Sequence, residues 1–134
     1  MKMSSEAITE GIRVQVSPQY IEEESIPDEN EYFFAYTITI ENKGKKWAKL
    51  LNRHWKIIDS EGYAEDVKGV GVVGYQPQLK PGDAFTYTSY CPLNTAWGTM
   101  EGKFEMVRTG GEKFFADISR FYLVSPDAVS AHED

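Results

Sequence analysis

Gly69, Gly71 and Gly74 stand at the spacing G-x-G-x-x-G inside the stretch KGVGVVGYQP. In dinucleotide-binding folds that spacing brings a pyrophosphate to the N-terminus of a helix. The chemistry needs a strand running into the loop and a helix leaving it. Here Pro77, Pro81 and Gly82 fall where the first helical turns belong, and proline there removes donors and clashes with the preceding turn. The spacers Val70, Val72 and Val73 are β-branched and favour an extended chain, so the glycines read as strand or bulge positions and a dinucleotide fold is rejected. A weaker chemistry survives, in which backbone N–H groups of a glycine-rich β segment meet a small anion. Arg53, His54 and Lys68 are the cations that would complete such a site.

Arg53, His54 and Trp55 are adjacent, and adjacent strand residues face opposite ways. With Trp55 in the core, Arg53 shares its side and His54 faces out. An arginine on the core side sits at the rim, pairs with a carboxylate, or meets an anion. The remaining catalytic inventory is poor. His132 lies far off in the acidic C-terminal stretch, Cys91 precedes Pro92 at a strand end and behaves as a small buried hydrophobe, and Ser89 has no glycine elbow around it. No enzyme, no metal site and no cofactor are expected. The run EEESIPDENE, Glu22 to Glu31, holds six carboxylates around a proline. It lacks the ligand spacing and turn glycine of a calcium loop and reads as a solvated loop.

Aromatic residues offer another route to function. The chain has 18 Phe, Trp and Tyr, and Trp47, Tyr75, Tyr90 and Trp97 fall at expected turns or strand ends. Aromatics on loops anchor protein interfaces, and their alternative is rim packing over the ends of the core.

These groups must be positioned by strands. Ile12, Val14 and Val16 share one face, Tyr32, Phe34, Tyr36, Ile38 and Ile40 another, and Leu51, Trp55 and Ile57 a third; alternation of period two marks half-buried strands. Tyr63 to Tyr75 reads as the glycine-bearing strand. Phe85 and Tyr87 alternate with Thr86 and Thr88, Met100, Phe104 and Met106 line one face, and the segment after the Gly110-Gly111 turn is a strand kinked near Ser119. No segment sustains a 3.6 period. The pattern predicts an all-β fold, an antiparallel two-layer β-sandwich of seven or eight strands, with Phe34, Tyr36, Ile38, Trp55, Phe104 and Met106 in one core. Residues 11–126 form the single domain, between flexible tails at 1–10 and 127–134.

The 134 residues and 41% hydrophobic content suit one domain with a real core. A formal charge of −7 disfavours general nucleic-acid binding. No apolar run is long enough to span a bilayer, the N-terminal MKMSSEAITEG lacks a signal-peptide core, and the single cysteine agrees with a reducing compartment. A cytoplasmic protein away from the membrane is expected.

The stretches YFFAYTITIENKG, LLNRHWKIID, VKGVGVVGYQPQLKPGDAFTYTSYCPL, GTMEGKFEM and the closing FYL occur in this order over nearly the whole chain. In them the sequence resembles the bacterial ApaG family. The resemblance implies a fibronectin type III-like, immunoglobulin-like sandwich and no established enzymatic activity. It links the family to diadenosine tetraphosphate metabolism and to magnesium and cobalt sensitivity, and it implies pyrophosphate or dinucleoside polyphosphate binding at the positions Gly69, Gly71 and Gly74. Eukaryotic relatives imply a protein-binding module. Tyr90 and Ala96-Trp97 depart from the family pattern and alter a loop surface. The leading expectation is a non-enzymatic module that binds a protein partner through the sandwich edge or the aromatic loops, with the small-anion site as the alternative.

Overall fold

The computed structural model describes residues 3–131. Nine strands follow in chain order: β1 (Ser5–Thr9), β2 (Ile12–Tyr20), β3 (Tyr32–Asn42), β4 (Ala48–Asp59), β5 (Ala64–Val70), β6 (Gln78–Leu79), β7 (Ala84–Leu93), β8 (Trp97–Arg108) and β9 (Lys113–Val124). All pair antiparallel, in two sheets. One sheet has the order β1-β2-β3-β7, the other β5-β4-β8-β9, with the short β6 also on β4. The fold is a two-layer antiparallel β-sandwich.

The layers meet through the period-two faces of their strands. Ile12, Val14, Val16, Phe34, Tyr36, Ile38 and Ile40 from the first sheet are buried against Leu50, Trp55, Phe104, Met106 and Phe121 from the second. Trp55 is at the centre of the aromatic packing, edge-on to Tyr36 at 5.4 Å and to Phe121 at 5.8 Å between ring centroids. Such edge-to-face pairs add to the gain from burial. All six residues expected to share the core do so.

Four sequence expectations need correction. The expected tail over 1–10 includes a paired strand, because Ser5–Thr9 pairs with β2 from Ser5↔Val16 to Thr9↔Ile12. The polar strand is held by a ladder supplied from elsewhere in the chain, which its own composition does not reveal. At the other end Pro126–Ala131 forms a short helix, α1, while His132 and the acidic end lie outside the described residues. Leu50, not Leu51, enters the core: the register shifts between Leu50 and Asn52, and one extra residue reverses the alternation. The span from Tyr63 to Tyr75 is not one strand, since β5 ends at Val70 and a turn follows. The kink near Ser119 is present as a register shift opposite Met100 and Gly102.

The two sides of the sandwich differ. On one, β1 lies against β9: Tyr122 N–H donates to Met3 O at 3.1 Å, Ser5 Oγ to Ser119 O at 2.8 Å, and Asp117 N–H to Thr9 Oγ1 at 3.1 Å. On the other, β7 and β5 are the edges of their sheets, and a slot of about 330 Å³ opens between them, lined by Tyr36, Arg53, Trp55, Ser89, Tyr90 and Cys91 among others.

Candidate functional site

The three glycines have three different reasons to be glycine. Gly69 is in β5 opposite Arg53, and the Arg53 guanidinium lies flat over it: a Cβ on Gly69 would be 2.6 Å from Cζ. Gly71 has φ +64, and a Cβ there would overlap the carbonyl oxygen of Tyr75. Gly74 has φ +87 with nothing within 4 Å of the added carbon. Residues 72–75 form a two-residue hairpin turn closed by Val72 N–H to Tyr75 O and Tyr75 N–H to Val72 O, both 2.8 Å. Its central residues Val73 and Gly74 both have positive φ, +43 and +87, the geometry of a type I′ turn. Gly71 N–H donates to Leu51 O at 2.8 Å. Three backbone donors of the segment are thus engaged by protein carbonyls.

Arg53 has a partner that the sequence did not indicate. Its Nη1 donates to Gly71 O at 2.8 Å and Val70 O at 3.1 Å, tying β4 to the start of the turn. Among the described residues no carboxylate lies within 4 Å of it. Its side chain points to the core side, near Tyr36 and Tyr87. Burial raises the pKa of both tyrosines, and the Arg53 charge partly offsets that rise. The Tyr87 hydroxyl is buried without a hydrogen-bond partner.

His54 and Lys68 pair across β4 and β5 and face the opposite way. They line a shallow recess of about 540 Å³ on the outer face of the second sheet, bordered by Arg53 and Gly69. The pleat therefore brings His54 and Lys68 together and sends the Arg53 guanidinium to the other side of the sheet. His54 Nε2 is 3.0 Å from Asp66 Oδ1. Asn52, Val70, Lys103, Glu105 and Phe115 complete the recess, with Lys103 Nζ 4.4 Å from the Phe115 ring centroid. Lys103 stands opposite His54 in the β4–β8 ladder, a neighbourhood that no spacing in the sequence announces.

The four aromatics divide into pairs. Tyr75 and Tyr90 are 62% and 58% exposed, Tyr75 against Phe85 at 5.9 Å and Tyr90 stacked on Phe33 at 5.5 Å. Trp47 and Trp97 are half-buried. Tyr90 belongs to β7, whose sequence AFTYTSYCPL has no charged residue. Phe33 stands on the neighbouring β3, so an aromatic pair lies on the outer surface beside the free edge. Below it, Thr37 and Thr39 hydroxyls bond those of Thr88 and Thr86 at 2.9 and 3.0 Å.

Cys91 faces the interior at the same strand, 3% exposed. Burial, with a contribution from Glu65, pushes its thiol up to about 12, which removes the thiolate that nucleophilic chemistry requires. Among the described residues no group of three or more His, Cys, Asp and Glu side chains is arranged to hold a metal ion, and no helix is long and apolar enough to cross a membrane.

Comparison with known proteins adds a family. The ApaG domain matches residues 22–108. The chain is 52% identical over 120 residues to the protein ApaG of Methylorubrum populi, covering 90% of this chain and 92% of that one. It is 54% identical over 112 residues to the protein ApaG of an Acidovorax species, covering 84% and 82%. Among solved structures, the ApaA protein of Bordetella pertussis superimposes with a TM-score of 0.84 at 45% identity, covering 86% of this chain and 94% of that one.

Proposed function

Because this chain belongs to the ApaG family, we propose that it is a non-enzymatic binding module that takes a protein partner along the free edge of the sandwich at β7. The observation that carries the proposal is the contrast among the sheet edges. An edge strand offers unpaired N–H and C=O groups, and proteins normally guard it with charge, bulges or a covering element. β1 and β9 guard each other, and β5 carries Glu65, Asp66 and Lys68. β7 is ten residues long, uncharged, and paired with β3 without a register shift.

The ladder fixes which backbone groups are offered. Asn42 N–H donates to Asp83 O at 2.9 Å just before β7 begins, and bonded and non-bonded positions alternate from there. The N–H and C=O groups of Phe85, Tyr87, Ser89 and Cys91 therefore turn toward β3, and those of Thr86, Thr88 and Tyr90 turn outward. A partner strand added there would gain main-chain hydrogen bonds and have the Tyr90–Phe33 pair as an anchor on its flank.

Capture from the native lysate tests the reading, with Thr88→Lys placing a charge in the middle of the edge. Thr88 faces solvent, so the variant should fold with a thermal midpoint close to the parent. Capture of the specific partner should fall by at least about tenfold, as expected for a lost central contact. Undiminished capture by both Thr88→Lys and Thr86→Lys would overturn the β7 reading.

A further inference from the structure

The outer face of the second sheet has a charge opposite to that of the whole molecule. The chain carries a formal −7 from 14 basic and 21 acidic residues. Six of the basic residues, Lys49, Lys56, Lys68, Lys103, Lys113 and Arg120, fall on the outward side of β4, β5, β8 and β9, as their alternation with the core residues and their cross-strand partners require. Only four acids share that face, and most are occupied. Asp66 is paired with His54 and Glu101 with Arg120, while Glu105 accepts a hydrogen bond from Asn52 Nδ2 at 2.6 Å. Asp117 stands opposite Lys103 in the ladder, but the Lys103 ammonium lies over the Phe115 ring. Among the described residues the five lysines have no carboxylate within 4 Å. Against a net negative charge elsewhere, this is a cationic surface with its charges available.

The same face exposes apolar surface. Val70 is 70% and Phe115 49% exposed, and both line the recess with Lys68 and Lys103. Exposed apolar side chains inside a ring of charge mark interaction sites more often than scattered ones do. We propose that this face binds an acidic peptide segment of a partner protein, its carboxylates on Lys68 and Lys103 and an apolar side chain on Phe115 and Val70.

Charge complementarity selects that occupant. Lys68 and Lys103 are separated by one strand, β4, so their Cα atoms are roughly 10 Å apart. Side chains on one side of an extended peptide recur about every 7 Å, a spacing that flexible lysine stems can follow. Lysine binds carboxylates as a point charge without demanding the planar geometry that arginine does. A nucleic acid fits less well. Its affinity grows with the number of phosphates neutralised, and beyond this face the molecule's field repels it, whereas a short segment touches only the cationic area. The site is on a different surface from the β7 edge and does not depend on it.

Fluorescence anisotropy with a labelled peptide of Glu-Ser-Leu-Ser repeats tests the assignment, because alternation puts Glu and Leu on one side. Binding is expected at low salt and should weaken as salt rises. Lys68→Glu/Lys103→Glu should lower affinity by at least about tenfold, and Phe115→Ala by a smaller factor. Lys43→Glu/Lys80→Glu makes the same change in net charge away from this face and should leave affinity within about twofold. Thr88→Lys, at the other proposed surface, should have no effect. If the glutamate variant lowers the thermal midpoint, Lys68→Gln/Lys103→Gln serves in its place. No binding at low salt, equal losses in the Lys43/Lys80 control, or tighter binding of a single-stranded oligonucleotide of equal charge would each overturn the proposal.

Discussion

Replacing the glycines of the G-x-G-x-x-G stretch one at a time by alanine separates three physical effects that the motif superimposes. At Gly74 the added carbon meets nothing within 4 Å, and the cost is the left-handed conformation alone, about 1–2 kcal/mol. At Gly71 the same conformational cost applies, but the carbon also overlaps the Tyr75 carbonyl oxygen. Relief requires the turn to open, breaking the two mutual bonds between Val72 and Tyr75, each worth about 0.5–1.5 kcal/mol net. Gly71→Ala should therefore cost about 2–5 kcal/mol, clearly more than Gly74→Ala. Gly69 has no positive φ, and its Cβ would meet only the guanidinium end of Arg53. That side chain can swing away at the loss of its bonds to Val70 O and Gly71 O. Gly69→Ala should cost about 1–3 kcal/mol, and the cost should nearly vanish in an Arg53→Ala background. Urea denaturation of the four single variants and the Gly69→Ala/Arg53→Ala double variant gives all the numbers. Equal costs at Gly71 and Gly74, or additive costs at Gly69 and Arg53, would refute the reasoning.

Val73 holds a left-handed conformation that suits a β-branched residue poorly and is 48% exposed, so Val73→Asn should stabilise by about 1 kcal/mol, read as a rise of about 3–5 °C in thermal midpoint. Cys91 should resist iodoacetamide at pH 8 in the folded protein and react at once in urea, since a thiol pushed up to about 12 is on the order of 0.01% thiolate there. The folded-state rise at Cys91 contributes stability that is complete below its ordinary value of 9.0 and is lost as pH climbs toward 12. Tyr36 and Tyr87, also raised by burial, act in the same direction. The urea midpoint should therefore fall above pH 9, and less so in Cys91→Ala than in the parent, which pH-dependent denaturation would measure. Tyr90→Ala should weaken partner capture by about 2 kcal/mol while moving the thermal midpoint little, because its ring touches mainly Phe33; a large midpoint drop with capture intact would assign it to packing.

Alternation made most of the sandwich readable. Where Phe34, Tyr36 and Ile38 recur at every second position, only one face can be inward, and the structure buries those residues. What the alternation could not carry was anything set by register between distant strands. Leu50 replaces Leu51 in the core through one extra residue that leaves both residues apolar and the pattern superficially intact. Arg53 finds the carbonyls beyond Gly69 because β5 pairs with β4 in one register out of many. Lys103 and Phe115 join His54 and Lys68 for the same reason, from positions tens of residues away. β1 is short and half polar, and its stability comes from β2 and β9. The helix at Pro126 did have a local signal, Ser125 before a first-turn proline and Asp127, but so short a segment shows no 3.6 period.

The order of the strands has a consequence for how the chain comes off the ribosome. In each sheet one ladder joins strands distant in sequence, β3 to β7 and β4 to β8. The hairpins β2–β3 and β4–β5 can close as soon as they emerge, yet each then waits with one ladder unfilled and its apolar face open to water. Non-local pairing of this kind slows folding, because chain closure costs entropy before contacts repay it. β1, the first strand made, leans on β9, the last. Translation must therefore run past Val124 before the sandwich can close, and a nascent chain halted ahead of Lys113 holds every strand of the first sheet but a second sheet lacking β9, with β1 left without the strand it leans on.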